Sequence, residues 1–400
     1  MLADEARELL STDGLRLLDQ VGPYRSGADV LRESARLRKA GHSPALVAAV
    51  LTQARLRERA AAKFGPFATR MLFTEAGLEQ ATRLQLAALH AGRFRSIGAQ
   101  RVADLGCGIG GDAMALAALD LAVTAVDRDE VTAAFAAYNL APFPNAEVRC
   151  ESAESTDLDA VDAVFLDPAR RSAGHSSSTR LKPTDWSPSL DFAFQLGDRL
   201  PVGVKLGPGM DRDLIPPISE AQWITVDGDT AELVVWLGGA ARPGIGRSAL
   251  VIANGESIEL VAPADSEDPD TVPLGAYLHE PAGSVIRARL IGDLARRLDA
   301  GRVHPEIAYL TGDRPSPDPL AASFAVREVW PIDERSIARE LRRLEIGTLE
   351  IKKRGVDIDP AQFRKRLGLR GPEKAVLILT RVGERRVAIL ADRLQPAPAQ

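Results

Sequence analysis

The stretch Arg101–Leu116, RVADLGCGIGGDAMAL, decides how the rest of the chain is read. RVADL is an apolar run that predicts a strand. Four glycines, Gly106, Gly108, Gly110 and Gly111, crowd the next six positions, and GDAMALAAL continues at helical spacing. Strand, glycine turn and helix in this order form a ligand-binding elbow. Glycine accepts backbone angles that other residues resist, and without a Cβ it lets a ligand come close to the main chain. Gly106, Gly108 and Gly111 satisfy the dinucleotide pattern GxGxxG, whereas Asp104 with Gly106, Gly108 and Gly110 makes DxGxGxG. Asp127 ends the next strand, AVTAVD, about 20 residues on, where a carboxylate accepts hydrogen bonds from ribose hydroxyls in either case.

Asp104 separates the two adenosine ligands. A pyrophosphate over the loop is repelled by a carboxylate two residues before the first glycine. A sulfonium amino acid, with its cationic amine, is attracted by one. The pattern therefore points to S-adenosylmethionine, with S-adenosylhomocysteine as product. Its candidate contacts are Asp104, Gly106, Cys107, Gly108, Gly110, Asp127, Arg128, Ser152, Ala153 and Asp167. An acidic residue facing the adenine amine is expected after the third strand, AEVRC. Ser152 stands there with Glu151 and Glu154 on either side, and the choice among them stays open.

Outward from the loop, AVTAVD, AEVRC, VDAVFLD and PVGVKL predict further strands, with EVTAAFAAYNLA and PSLDFAFQL as helices. Helical crossovers imply a mostly parallel sheet covered on both faces. ITVDG and AELVVWLGG predict a hairpin that closes this sheet with an antiparallel edge. The expected fold is α/β, a Rossmann-like sheet over 63–247. It is preceded by a helical region over 1–62 and followed by a strand-poor linker over 248–275 and an α+β module over 276–400. In the helical region Ser43-Pro44 predicts an N-cap and first turn, as does Asp359-Pro360 in the module.

The fourth strand ends in LDPARR. Asp167 then sits at the carboxyl edge of the sheet, and Pro168 stiffens the turn so that the Leu166 carbonyl and the Asp167 carboxylate face the methyl donor as acceptors. Such acceptors help a conjugated amine to pyramidalise, while positioning supplies most of the acceleration. Arg170 and Arg171 either meet substrate phosphate or pair with a neighbouring acid. Residues 173–186 read as a flap, and Trp186 as a base-stacking surface or a packed core residue. His175 is a lone loop histidine.

Composition excludes other classes. Of the 400 residues 45% are apolar and 26% charged, as in globular proteins, and no apolar run nears the about 18 residues of a membrane span. The acidic, amphipathic N-terminus lacks the order of a secretory signal. Two cysteines, Cys107 and Cys150, with no CxxC and no histidine cluster, argue against a disulfide framework or a metal, and a cytoplasmic location is expected. Neither cysteine is placed as a nucleophile, so direct transfer to nitrogen or oxygen is favoured over pyrimidine C5 chemistry. Net charge is −5, yet residues 334–400 carry sixteen Lys and Arg against nine Asp and Glu. A basic end on an acidic body fits a polyanion partner. Lys352, Lys353, Arg354, Arg364, Lys365 and Arg366 are its candidate phosphate contacts, with a solvated polar face as the alternative.

The segments KFG…MLFTEAGLEQAT, ADLGCGIGGDA, AVDRD, LDPARR, VKLGPG, HPEIAYLTGD and LEIKKRGVDIDP together resemble a family. They resemble the class I methyltransferases with a THUMP-like C-terminal domain found in actinobacteria, over most of the chain. The core is also similar to trimethylguanosine synthases, whose Ser-Pro-Pro-Trp type motif is here Asp167-Pro168-Ala169-Arg170, without the aromatic that stacks guanine. THUMP domains belong to RNA-modifying enzymes, so the resemblance implies methylation of structured RNA, tRNA or rRNA. Three alternatives stand beside it: a methyltransferase of a small molecule or protein, a non-catalytic RNA-binding protein that keeps the cofactor fold, and, last, a nicotinamide oxidoreductase.

Overall fold

The computed structural model describes residues 3–22, 27–170 and 186–394. The chain divides into two units. One comprises Met1–Leu206, Asp211–Ser219 and Val235–Ala241, the other Gly207–Met210, Glu220–Val234 and Arg242–Gln400.

The first unit opens with helices α1 (Ala3–Leu9), α2 (Thr12–Val21), α3 (Gly27–Lys39), α4 (Pro44–Phe64), α5 (Glu75–Gln80) and α6 (Leu84–Ser96). Ser11 and Ser43 cap α2 and α4, accepting from the amides of Gly14 and Leu46. There follow β1 (Arg101–Leu105), α7 (Gly111–Ala118), β2 (Ala122–Asp127), α8 (Glu130–Leu140), β3 (Ala146–Cys150) and β4 (Ala163–Leu166). The unit continues with the two-residue strands β5 (Ala169–Arg170) and β6 (Trp186–Ser187), then α9 (Leu190–Gln195) and β7 (Val202–Leu206). Strand order is β7-β4-β1-β2-β3, and every pairing is parallel. The residues of β4 and β7 are all buried, as expected of parallel strands covered on both faces.

The N-terminal helices pack into this unit. Leu9, Leu17, Leu37 and Val50 share a core cluster with Leu72 and with Phe135 of α8. The link from α4 to α5 passes through Leu72 and Phe73, whose backbone groups are met by side-chain amides. Gln53 bonds both the amide and the carbonyl of Phe73, at 2.9 and 2.7 Å. Asn139 of α8 bonds both groups of Leu72, at 2.7 and 3.0 Å, and also reaches the Ile109 carbonyl in the glycine loop at 2.9 Å.

The second unit holds β8 (Glu220–Val226), β9 (Asp229–Leu237, its last three residues belonging to the first unit), β10 (Arg247–Ala253) and β11 (Glu256–Ala262). β8 neighbours β9, as the predicted hairpin requires, but β10 pairs parallel to β8 and β11 antiparallel to β10. The hairpin is therefore not the edge, and the segment after 247 is not strand-poor. The missed signal is Asn254-Gly255, both at positive φ (53° and 80°) between two β-prone runs, the turn type that hairpins prefer.

The unit continues with β12 (Tyr277–Pro281), α10 (Gly283–Arg287), α11 (Ile291–Leu298), β13 (Gly301–His304), β14 (Ile307–Gly312), β15 (Ala321–Pro331), α12 (Glu334–Arg343), β16 (Ile346–Lys353), α13 (Pro360–Leu367), β17 (Glu373–Val382) and β18 (Arg385–Arg393). Seven of these strands form a sheet in the order β13-β14-β12-β15-β18-β17-β16, antiparallel except for β16 with β17. Ile337 and Leu341 of α12 and Phe363 and Leu367 of α13 share a core with Leu377, Leu379 and Leu390. Asp359 caps α13 by accepting from the Gln362 amide, as its Asp-Pro sequence predicts. Among the described residues no helix is long and apolar enough to cross a membrane.

Candidate functional site

The glycine loop turns three times through the left-handed region, at Gly106 (φ 85°), Gly108 (57°) and Gly110 (85°). It is hooked onto the end of β2. The amides of Gly106 and Cys107 both donate to the Val126 carbonyl, at 2.8 and 2.9 Å. The Gly108 amide donates to Asp127 Oδ2 at 3.1 Å, and the Asp129 amide to Asp127 Oδ1 at 2.9 Å. A Cβ on Gly106 would stand 3.3 Å from the Asp167 carbonyl, so glycine is what allows the end of β4 to approach the loop.

These elements wall a cleft of about 1010 Å³, its mouth included. Asp104, Gly106, Cys107, Gly108, Asp127, Arg128, Ala153 and Asp167 line it, eight of the ten residues proposed from sequence to hold the cofactor. Gly110 and Ser152 do not. Gly110 instead stands at the N-cap of α7, where a Cβ would meet Leu140 at 3.4 Å, and the Ser152 hydroxyl donates to Glu154 at 2.8 Å. Glu151 and Glu154 line the cleft in place of Ser152, and Glu151 Oε1 is buried without a hydrogen-bond partner.

Asp104 is 1% exposed, and its Oδ2 has no hydrogen-bond partner. Burial first, then the nearby Asp112 and Asp167, push its carboxyl well above the usual range. Asp112 goes the other way. Burial opposes its charge, but His90 Nδ1 at 2.8 Å, Lys205 and the Thr82 hydroxyl at 2.7 Å together hold it below the usual range. Two adjacent buried carboxylates are thus driven apart, one toward the acid and one toward the anion. Burial also raises Asp127, against the amides of Asp129 and Gly108. The Cys107 thiol is pushed well up by burial, Asp104 and Asp127, an environment unlike that of a nucleophile.

Four residues of the α5 region, Gly77, Gln80, Ala81 and Thr82, roof the cleft, a role the sequence did not reveal. A Cβ on Gly77 would meet Ile109 Cγ2 at 2.7 Å, so α5 lies directly on the loop. Lys63 pins its end by donating to the carbonyls of Leu78, Glu79 and Ala81, at 2.8, 2.7 and 2.7 Å. Lys205, which the sequence did not single out, stands behind the cleft rather than in its lining. Its Nζ lies 2.5 Å from Asp167 Oδ2.

Leu166 and Pro168 are buried and do not line the cleft; Ala169, Ser187 and Pro188 do. Trp186, a stacking candidate from sequence, is 3% exposed on a strand paired with Arg170, so it is corrected to a packing residue. Arg171, His175 and the flap before Trp186 lie outside the described residues, as does the Arg170 side chain. In the second unit Lys352 and Arg354 both pair with Glu280, at 2.7 and 3.7 Å, and Arg366 pairs with Glu334 at 2.8 Å. Lys353, Arg364 and Lys365 are exposed.

Comparison with known proteins decides the family. The chain is 33% identical, over 356 residues, to an uncharacterized S-adenosylmethionine-dependent methyltransferase found in two strains of Mycobacterium tuberculosis, the match covering 87% of this chain and 95% of the relative. The chain belongs to the S-adenosylmethionine-dependent methyltransferases. This methyltransferase is similar throughout its length to a crystal structure from Porphyromonas gingivalis W83, a protein assigned as a methyltransferase, with a TM-score of 0.73 and 21% identity. That likeness covers 99% of this chain and 100% of the other. Residues 321–393 match the family model "THUMP domain-like", and residues 3–60 match "Domain of unknown function (DUF8688)". The cofactor supplies an activated methyl group on a positively charged sulfur. The site suits it: the orphaned Asp104 oxygen is the partner an ammonium requires, and the glycines leave main chain open to a flat ligand.

Proposed function

We propose that this methyltransferase transfers the methyl group to a base nitrogen of structured RNA, a tRNA or rRNA. The observation that carries the donor side is the buried, unpartnered Asp104 Oδ2 in the wall of the glycine cleft. Asp104 takes the cationic amine of the donor, Asp127 the ribose hydroxyls, and the Gly106–Gly108 backbone packs beside the ligand. Arg128 and Ala153 also line the cleft, and Glu151 or Glu154, of the three residues left open by the sequence, takes the adenine amine. On the acceptor side Asp167 accepts from the N–H of the target amine. Asp167 would thereby aim the nitrogen lone pair at the donor methyl, a positioning role that needs no strong base. As the N–C bond forms, the S–C bond would break, S-adenosylhomocysteine would leave, and the amine's proton would pass to water.

RNA as substrate rests on the THUMP-like match and on the surface cations Lys353, Arg364 and Lys365. Contacts of this kind bind phosphate without regard to sequence. The test incubates the protein and radiolabelled S-adenosylmethionine with an extract of cells lacking the gene, then separates RNA, protein and small molecules. Ribonuclease-sensitive label that resolves to an N-methylated nucleoside is the expected result. Label in the protein or small-molecule fraction alone would replace the RNA reading with one of those substrates.

A further inference from the structure

Lys205 is out of character for its place. It lies in β7, VGVKL, whose other members are apolar or glycine and whose residues are all buried. A lysine is rarely buried so deeply unless its charge is matched. Here it meets an acid and a carbonyl. Leu166 and Val204 are partners on adjacent parallel strands, so Asp167 and Lys205 follow as the next residue on each, and their charged atoms meet at 2.5 Å. The same Nζ donates to the carbonyl of Gln80, the last residue of α5, at 3.3 Å. Lys63 holds the carbonyls of Leu78, Glu79 and Ala81, so two ammonium groups collect all four carbonyls at the end of the roof helix. The groups that face Lys205 electrostatically are Asp104 on β1, Asp112 on α7, Asp167 after β4 and Lys63 on α4, with His90 of α6 held against Asp112.

We infer that Lys205 is a positioning residue for the acceptor side: one ammonium fixes the Asp167 carboxylate at the cleft and ties it to Gln80 in the roof over the donor. The inference rests on the reading of Asp167 as the acceptor-side carboxylate. Without the cation Asp167 loses this ion pair at the edge of the cleft, and the roof loses its tie at Gln80. A methionine at 205 would preserve the bulk of the side chain and remove only the charge and its hydrogen bonds.

The test compares Lys205→Met, Lys205→Arg and Asp167→Asn in the full chain, with the double variant K205M/D167N as a folding control. The acceptor is the same cell extract, and initial rates at saturating donor are followed from pH 5.5 to 9. Lys205→Met is expected to lower the rate at least tenfold and to move the acidic limb of the profile to higher pH, since a carboxylate without its cation holds its proton more tightly. Its affinity for S-adenosylhomocysteine, by calorimetry, stays within threefold. Lys205→Arg recovers most of the rate and the original limb. Amide exchange at residues 78–82 rises in Lys205→Met and not in Lys205→Arg, a measurement that needs no acceptor.

An unmoved acidic limb with unchanged exchange would overturn the inference. So would a loss of rate explained wholly by weaker donor binding. Asp167→Asn at the wild-type rate would remove Asp167 from the acceptor side, and the role given to Lys205 with it. Label that is insensitive to ribonuclease, with the Lys205 effects intact, would count against RNA alone.

Discussion

Asp104 carries two opposing demands. In the ligand-free protein a buried carboxyl with an unpartnered oxygen is a liability; in the proposed reading it is the anchor for an incoming ammonium. Its carboxyl is raised by burial, so the folded chain holds that proton more tightly than the unfolded chain does. The stability it contributes is therefore full below the ordinary carboxyl range and is lost as pH rises through the elevated value. Asp104→Asn should match the wild type in thermal unfolding at low pH. At pH 8 the ligand-free variant should be the more stable, since it is spared the burial of a negative charge. The same variant should bind S-adenosylhomocysteine about 10–100 times more weakly by calorimetry, as expected for loss of a charge-assisted hydrogen bond of about 1.5–3 kcal/mol. Asp104 was legible because it stands two residues before the glycines. The neighbouring buried cluster, Asp112 with His90 and Thr82, carries no local signature; tertiary packing alone gathers it.

At the scale of elements, the site is a loop held between β1, α5 and α8. Asn139 is the tie: from α8 it bonds both backbone groups of Leu72 and the Ile109 carbonyl, so one side chain locks the approach to α5 and the glycine loop together. Asn139→Ala leaves three buried main-chain groups without these partners. It should cost at least about 3 kcal/mol in chemical denaturation, given about 1–3 kcal/mol for each buried group left unsatisfied, and it should weaken binding of S-adenosylhomocysteine as the loop loosens. Gly106→Ala tests a different property of the same element. Its left-handed φ and the Asp167 carbonyl 3.3 Å from the added methyl make the substitution strained, at about 1–3 kcal/mol. Transfer rate should fall further than donor affinity, because the displaced group is Asp167. The parallel strands were readable from their apolar runs and spacing. The roof formed by α5 was not, because TEAGLEQAT reads as an ordinary short helix until Ile109 is found beneath Gly77.

On the scale of the whole molecule, charge is unevenly distributed along an acidic chain, with the excess of Lys and Arg in its last part. The structure trims that excess: Lys352 and Arg354 share Glu280, and Arg366 is paired with Glu334, so fewer cations are available than the sequence count suggests. The double substitution Arg364→Glu and Lys365→Glu should weaken binding of total RNA about tenfold at low salt and flatten the dependence of log affinity on log salt by roughly two, one for each phosphate contact removed. Affinity for S-adenosylhomocysteine should be unchanged. An RNA affinity indifferent to both substitutions and salt, measured by gel shift across a salt series, would move the substrate elsewhere.

What the sequence by itself determined was everything encoded by neighbours along the chain: the glycine elbow, Asp104 and Asp127 at strand ends, Asp167 before its proline, the capped helices and the basic end. Those features follow from local backbone geometry and from charge counted in order. Tertiary structure alone decided which side chains share a space. It set Lys205 against Asp167, closed α5 over the loop and put Glu151 and Glu154, of the three candidates there, on the cleft. It also buried Trp186 and paired off half of the six cations named in the basic end. The reason is physical: a hydrogen bond or an ion pair depends on distances of a few ångströms, and residues such as Gln80 and Lys205, 125 positions apart, come within that distance only when the sheet and its helices are packed.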